Sequence, residues 1–303
     1  MTLPRSEPKT PETRYPPTGP ILHVDGFAVH AHVAGDGPDL ILIHGASGNT
    51  RDFTFDLIDR LTGDFRVIAF DRPGLGHSDP LHTRGETPFE QAAILDQAAE
   101  MLGVERAVVL GHSYGGAVAM AWALNHPERV GAVVSLAGAV APWPGGLGPW
   151  YSIASSRIGG AVLPPLISRF LPESIKINAV TSIFEPNDVP DGYADHVGVD
   201  LTLRPHTIRA NARQVNGLKP HVIDMKPRYQ SIDIPIEILH GDADTIVPAH
   251  IHSEVLERLA PNACLTMLPD VGHMPHHVAP QATVDAILRA ATRAGLRPAD
   301  PAS

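Results

Sequence analysis

Residues 107–116 read Ala-Val-Val-Leu-Gly-His-Ser-Tyr-Gly-Gly, and an alanine-rich stretch follows to Asn125. The apolar run Ala107–Leu110 has the character of a buried strand, and Gly115–Asn125 that of a helix. Between them lies G-x-S-x-G, with Ser113 at the centre. In a strand–turn–helix setting this pattern lifts the serine hydroxyl above the sheet at the N-terminus of the next helix. The flanking glycines remove side chains where strand and helix must pass closely. The Tyr114 N–H is then free to point at a developing oxyanion. A glycine-rich turn carrying an ordinary serine would look the same, so the surrounding sequence has to decide.

Upstream, Leu40-Ile41-Leu42-Ile43 is a second continuous apolar run, and His44-Gly45-Ala46-Ser47-Gly48 follows it directly. A loop at that place can supply a second oxyanion N–H, from Ala46, with His44 ordering the loop. A serine alcohol needs a base, and the base needs an orienting acid. Among 17 histidines, His273 stands in Leu268-Pro269-Asp270-Val271-Gly272-His273, after the last expected strand. Asp244 stands in His240-Gly241-Asp242-Ala243-Asp244, after the strand Pro235–Leu239, and is chosen over Asp242. Both loops fall at C-terminal strand ends, where open α/β sheets place their sites. The order Ser113, Asp244, His273 is that of a known triad arrangement.

Further apolar runs at Arg66–Phe70, Val130–Leu136 and Leu265–Leu268 alternate with helical patterns. The clearest helix start is Thr87-Pro88-Phe89-Glu90, a capping box with proline at the first helical position. Ile21–Val24 and Phe27–Ala34, joined by Asp25-Gly26, add an antiparallel hairpin at one edge. The fold class expected is therefore α/β, with a mostly parallel central sheet flanked by helices. Residues 141–231 break the alternation and read as a mainly helical insertion. Residues 1–20 read as a proline-rich, polar, mobile arm.

With these motifs in place, the chain resembles the α/β-hydrolase fold superfamily, in its form with a helical cap, over residues 21–296. Asp71-Arg72-Pro73-Gly74-Leu75-Gly76-His77-Ser78 resembles the D-x-P-G-x-G-x-S loop of such enzymes. The resemblance also places the acid at Asp244. It divides the chain into a core of 21–140 and 232–303 and a cap of 141–231. It implies a serine hydrolase, carboxylesterase-like, that needs no cofactor. Serine at the elbow argues against the dehalogenase and epoxide hydrolase branches, which use aspartate. C–C bond hydrolases of the fold often carry Asn before the serine and Trp after the histidine, where this chain has His112 and Met274. C–C hydrolysis, perhydrolysis and a low-turnover ligand receptor remain the alternatives.

Composition sets the remaining bounds. The chain has 303 residues, 43% of them hydrophobic, enough for a sizeable core. A single Cys264 excludes an intramolecular disulfide and cysteine-based metal sites. With 23 basic and 33 acidic residues the net charge is −10, a poor match to nucleic acid or anionic membranes. No segment is long and apolar enough to span a membrane, and the N-terminus lacks a signal-peptide core, so a cytoplasmic address is expected. The expected partner is a small-molecule substrate, with a homodimer through the cap as a further possibility. His30/His32, His250/His252 and His276/His277 lack an accompanying carboxylate-rich motif. They read as surface or loop histidines, and no metal is expected. Trp143, Trp150 and Tyr151 are candidates for an apolar pocket, together with Leu147, Ile153, Val162, Leu163, Leu166 and Ile167. Arg209 and Arg213 read as a solvated face, or else as the holders of a substrate carboxylate. The insertion is slightly basic, nine Lys/Arg against seven Asp/Glu, yet its apolar stretches favour neutral substrates with a short-to-medium acyl chain.

Overall fold

Val, Ile and Leu dominate the runs that become strands, and in Ala107–His112, Val130–Leu136 and Ile236–Gly241 buried positions run from end to end, as the centre of a sheet covered on both faces demands. The computed structural model describes residues 10–156 and 158–298. Eight strands form one sheet: β1 (Ile21–Val24), β2 (Phe27–Ala34), β3 (Asp39–Ile43), β4 (Arg66–Phe70), β5 (Ala107–His112), β6 (Val130–Leu136), β7 (Ile236–Gly241) and β8 (Ala263–Leu268). Their spatial order is β1-β2-β4-β3-β5-β6-β7-β8. The β1–β2 and β2–β4 pairs are antiparallel; every later pair is parallel. This is the α/β-hydrolase fold.

Each sheet face carries its own core. On one side Ile41, Ile43, Val109 and Val133 pack against the helices Pro88–Met101 and Tyr114–Asn125 through Leu95, Val118 and Trp122. On the other, Leu40, Leu42, Val108 and Leu110 pack against Leu57, Leu61 and Ile287, from the helices Leu57–Leu61 and Pro280–Arg293. The capping box forms as expected: Glu90 N–H donates to Thr87 Oγ1 at 3.1 Å and Thr87 N–H to Glu90 Oε2 at 2.8 Å.

Between β6 and β7 the chain folds into helices, the main ones being Pro149–Ser155, Gly159–Phe170, Glu173–Phe184, Tyr193–Val197 and Pro205–Met225. The last is longer than the His206–Asn216 pattern. Pro205 opens it, and neither Gly217 nor Pro220 ends it, because Leu218, Val222 and Met225 continue its apolar stripe into the core. Among the described residues, no helix is long and apolar enough to cross a membrane.

The expectation of a mobile arm needs correcting over residues 10–20; residues 1–9 lie outside the described part. Thr10 caps a turn of helix at Pro11–Arg14. Glu12 pairs with Arg204 Nη1 at 3.0 Å, the Tyr15 carbonyl faces His77 Nε2 at 2.9 Å, and Thr18 N–H donates to His30 Nε2 at 3.1 Å. Proline content says little here, because polar anchors from the body hold the segment.

Candidate active site

β5 runs straight into the turn, and Ser113 sits at its apex with φ 52° and ψ −117°. That backbone is strained for a residue with a side chain and is held from both sides. Ser113 N–H donates to the Leu136 carbonyl at 3.0 Å, and its own carbonyl accepts from Gly116 N–H (3.0 Å) and Ala139 N–H (2.9 Å). The glycines are required by proximity: a Cβ on Gly111 would lie 2.1 Å from the Gly115 carbonyl oxygen, and one on Gly115 2.2 Å from that of Ile43.

Loops after β7 and β8 bring two further groups to Ser113. His273 Nε2 lies 2.9 Å from Ser113 Oγ, and His273 Nδ1 lies 2.7 Å from Asp244 Oδ2. The carboxylate can only accept, so Nδ1 carries the proton and Nε2 offers its lone pair to the serine. Asp244 Oδ1 accepts from the Ile246 and Val247 N–H groups, each at 2.9 Å. Burial alone would raise the Asp244 carboxyl, but hydrogen bonds from His240 and His273 outweigh it and hold the group well below the usual carboxylate range. Asp242 points elsewhere: it accepts from Asp270 N–H at 2.8 Å on the surface. His240, whose Nε2 is 3.2 Å from Asp244 Oδ2, is a second partner of the acid that sequence reading passed over, though it opens the same loop motif.

The loop after β3 lies beside the serine. His44 Nδ1 donates to the Gly45 carbonyl at 2.9 Å, and its Nε2 accepts Arg72 N–H at 3.0 Å. Burial, with the Arg72 charge adding to it, lowers His44 to about 4, so the ring is neutral and structural. The buried Arg72 guanidinium donates to the carbonyls of His44 (2.9 Å) and Gly45 (2.8 Å). Those contacts fix the two carbonyls, and Ala46 lies on the cavity wall. Tyr114 is the first residue of its helix, so its N–H has no acceptor within that helix.

Asn211, from the helix Pro205–Met225, reaches the same loop. Its Oδ1 accepts Ser47 N–H at 2.8 Å and its Nδ2 donates to Ser47 Oγ at 2.9 Å, while Thr202 Oγ1 donates to the Ser47 carbonyl at 2.7 Å. Ser47 has a positive φ of 57°, a backbone that needs such holding. Neither contact was foreseen, since they join segments more than 150 residues apart.

A cavity of about 600 Å³ opens over Ser113 and His273, bounded by the loops and the inserted helices. Trp150, Tyr151 and Ile167 line it, as expected. Trp143 does not: it packs on the sheet-side core with its ring 6.1 Å from that of His252. Leu147, Ile153, Val162 and Leu166 also miss the wall; they face solvent at 38–53% exposure because Trp150, Ile167, Leu171 and Ile175 occupy the inner side. Arg209 donates to the Gly160 carbonyl at 2.7 Å, and neither it nor Arg213 lines the cavity. Lys176 does, but it is paired with Asp200 at 3.0 Å and Glu173 at 3.2 Å.

The reading of the paired histidines as surface groups is overturned at three places. His30 is buried against Asp71 Oδ2 at 2.7 Å, and His252 is buried, accepting Ala141 N–H at 3.1 Å. His276 and His277 both face the buried Asp52, at 3.2 and 2.9 Å, and Tyr193 O–H donates to the same carboxylate at 2.8 Å. Burial would raise Asp52, but His276 and His277 hold it well below its usual range. The carboxylate that these histidines lacked in the sequence lies 224 residues upstream.

Comparison with known proteins agrees with this architecture. The family model described as alpha/beta hydrolase fold matches residues 38–157. A 2-hydroxy-6-oxononadienedioate/2-hydroxy-6-oxononatrienedioate hydrolase of Comamonas testosteroni is 25% identical over 82% of this chain and 86% of its own. Among solved structures, a thermophilic esterase from Thermogutta terrifontis superposes with a TM-score of 0.71 at 22% identity, covering 88% of this chain and 94% of that one. An enol-lactonase from Burkholderia xenovorans LB400 gives 0.70 at 18% identity, covering 90% and 100%. The chain has the α/β-hydrolase fold, and over residues 38–157 it matches the family model of that name. Within it, the class that fold and relatives support is a hydrolase.

Proposed function

We propose that the protein hydrolyses carboxylic esters of small, mostly apolar substrates through an acyl-enzyme intermediate. Ser113 Oγ attacks the ester carbonyl while His273 Nε2 takes its proton, and Asp244 stabilises the resulting imidazolium. The tetrahedral oxyanion accepts hydrogen bonds from the Ala46 and Tyr114 N–H groups. Collapse expels the alcohol, which takes the proton from His273. A water then gives its proton to His273 and attacks the acyl carbon, and release of the acid returns the proton to Ser113. The helices of residues 141–231 act as a cap that bounds the acyl pocket. The observation that carries the reading is the unbroken line Ser113–His273–Asp244 at 2.9 and 2.7 Å.

Relatives named as hydrolases of dienoates and dienedioates favour a second reading, C–C bond hydrolysis. Their substrates carry carboxylates, and the cavity here is poorly equipped for one. Among the described residues lining it, Lys176 is the one Lys or Arg, and two carboxylates already neutralise it. Asp52 adds a negative charge to the wall. Each methylene buried in the apolar part contributes about 0.8 kcal/mol, so uncharged acyl chains bind by area alone. The test is kcat/KM over aryl esters of increasing acyl length beside a 2-hydroxy-6-oxo-dienoate. The expected result is turnover of the esters, peaking at intermediate length, with little of the dienoate. Preference for the dienoate, lost in Lys176→Ala, would establish the C–C reading instead.

A further inference from the structure

We propose that His112 is a positioning residue, which holds the loop carrying His273 and the loop after β3 in register with Ser113. The inference rests on the reading of Ser113 as nucleophile and His273 as base given above. His112 is the last residue of β5 and stands directly before the serine. It is buried, and it forms part of the cavity wall.

Two loops meet this imidazole. His112 Nε2 lies 2.9 Å from the His273 carbonyl oxygen; a carbonyl only accepts, so Nε2 carries the proton and donates. The rings of His112 and His273 are 5.0 Å apart between centroids. At the Nδ1 edge stands Gly45. A Cβ there would lie 3.1 Å from His112 Nδ1 and 3.0 Å from Ser113 Cβ, so a side chain at 45 would press on both. The ring of His276, from the turn of helix Pro275–Val278, packs on His112 at 4.7 Å between centroids.

The bond to the His273 backbone does what Asp244 cannot. Asp244 fixes the rotation and the tautomer of the base through Nδ1, out on its side chain. His112 anchors the peptide from which that side chain hangs, and does so from the residue that precedes the nucleophile. Ser113 and His273 are thereby referred to one strand end. His112 is also neutral: burial pushes it well below the ordinary imidazole range, and the neighbouring His276 and His273 add to that. A neutral donor puts no like charge beside the imidazolium that forms at His273. Packing alone does not ask for histidine here. Its Nδ1 is buried without a hydrogen-bond partner, a cost that an aliphatic side chain would avoid.

The test is steady-state kinetics of the full-length protein on an aryl ester, with His112→Leu and His112→Gln. The amide introduced by His112→Gln can donate to the His273 carbonyl in place of Nε2–H; the aliphatic side chain of His112→Leu cannot. In His112→Leu, kcat is expected to fall about ten- to a hundredfold with KM little changed, the signature of misplaced reacting groups. His112→Gln is expected to recover most of that loss. The acid limb of kcat/KM should keep its apparent pKa in both, because a neutral His112 does not titrate there. Thermal melts show which variants are folded, and His112→Ala replaces His112→Leu if the latter is not. An undiminished kcat in folded His112→Leu, or an equal fall in His112→Leu and His112→Gln, would overturn the role. A rise in KM alone would make His112 a substrate contact, and a moved acid limb would make it an acid–base group; either result overturns it too. Absence of ester turnover in the wild type would sink the ester reading alone. The same comparison is then read from the rate of Ser113 phosphonylation by a fluorophosphonate, with the same loss and recovery expected.

Discussion

At the scale of single residues, the chemistry depends on which groups can donate and which can only accept. Asp244 fixes the His273 tautomer because a buried carboxylate has no proton to give at neutral pH. Asp244→Asn presents an amide that can steady the wrong tautomer, and kcat on an aryl ester is expected to fall about 10³–10⁴-fold. Asp242→Asn loses one surface acceptor and should leave kcat nearly unchanged. Steady-state kinetics on the two variants decides the matter, and the reverse ranking would move the acid to Asp242. The convergence of Ser113, His273 and Asp244 was legible in the sequence because each stands in a short glycine-containing motif at a strand end. Asp52, His240 and Asn211 were not. Their partners lie on other elements, and nothing local marks a side chain whose role is made by packing.

At the scale of elements, the inserted helices do more than bound the cavity. The helix Pro205–Met225 grips the loop after β3 through Asn211 on Ser47 and through Gln214, which accepts from Arg72 Nη1 at 2.9 Å. The inserted helices and the loop after β3 are thereby one mechanical unit. Asn211→Ala frees Ser47, and a misplacement of about 1 Å can cost up to about a hundredfold in rate. The expected result is a fall in kcat of ten- to a hundredfold with KM little changed. A rise in KM alone would mean that Asn211 contacts substrate instead. The strands and the two core-side helices were readable from apolar runs and the Thr87 capping box. The facing of the inserted helices was not. Val162 and Leu166 satisfy the apolar periodicity as well as Ile167 does, and only the packed structure shows which side meets the cavity.

For the whole molecule, buried neutral histidines set the acid limit of stability. Burial lowers His44, His252 and His276 each to about 4 from an ordinary 6.5. Below pH 6.5 the unfolded chain takes up protons at these sites while the folded chain does not, so stability falls with pH down to about 4. At 1.36 kcal/mol per unit, the fully buried His44 alone contributes about 3 kcal/mol over that window. Asp71, lowered to about 2 by hydrogen bonding from His30 against the raising effect of burial, adds its own loss only below about pH 4. Urea midpoints are therefore expected to drop steeply between pH 6.5 and 4; a flat profile would contradict the burial of these rings. In the proposed mechanism the strain at Ser113, the grip on the loop after β3 and the buried Asp244 all serve one event, acylation of a single serine. That event is measured by incubating the protein with a fluorophosphonate and locating the adduct by peptide mass spectrometry. One equivalent on Ser113, with activity lost in parallel and neither seen in Ser113→Ala, is the predicted result. Labelling at another serine, or full esterase activity in Ser113→Ala, would contradict the account.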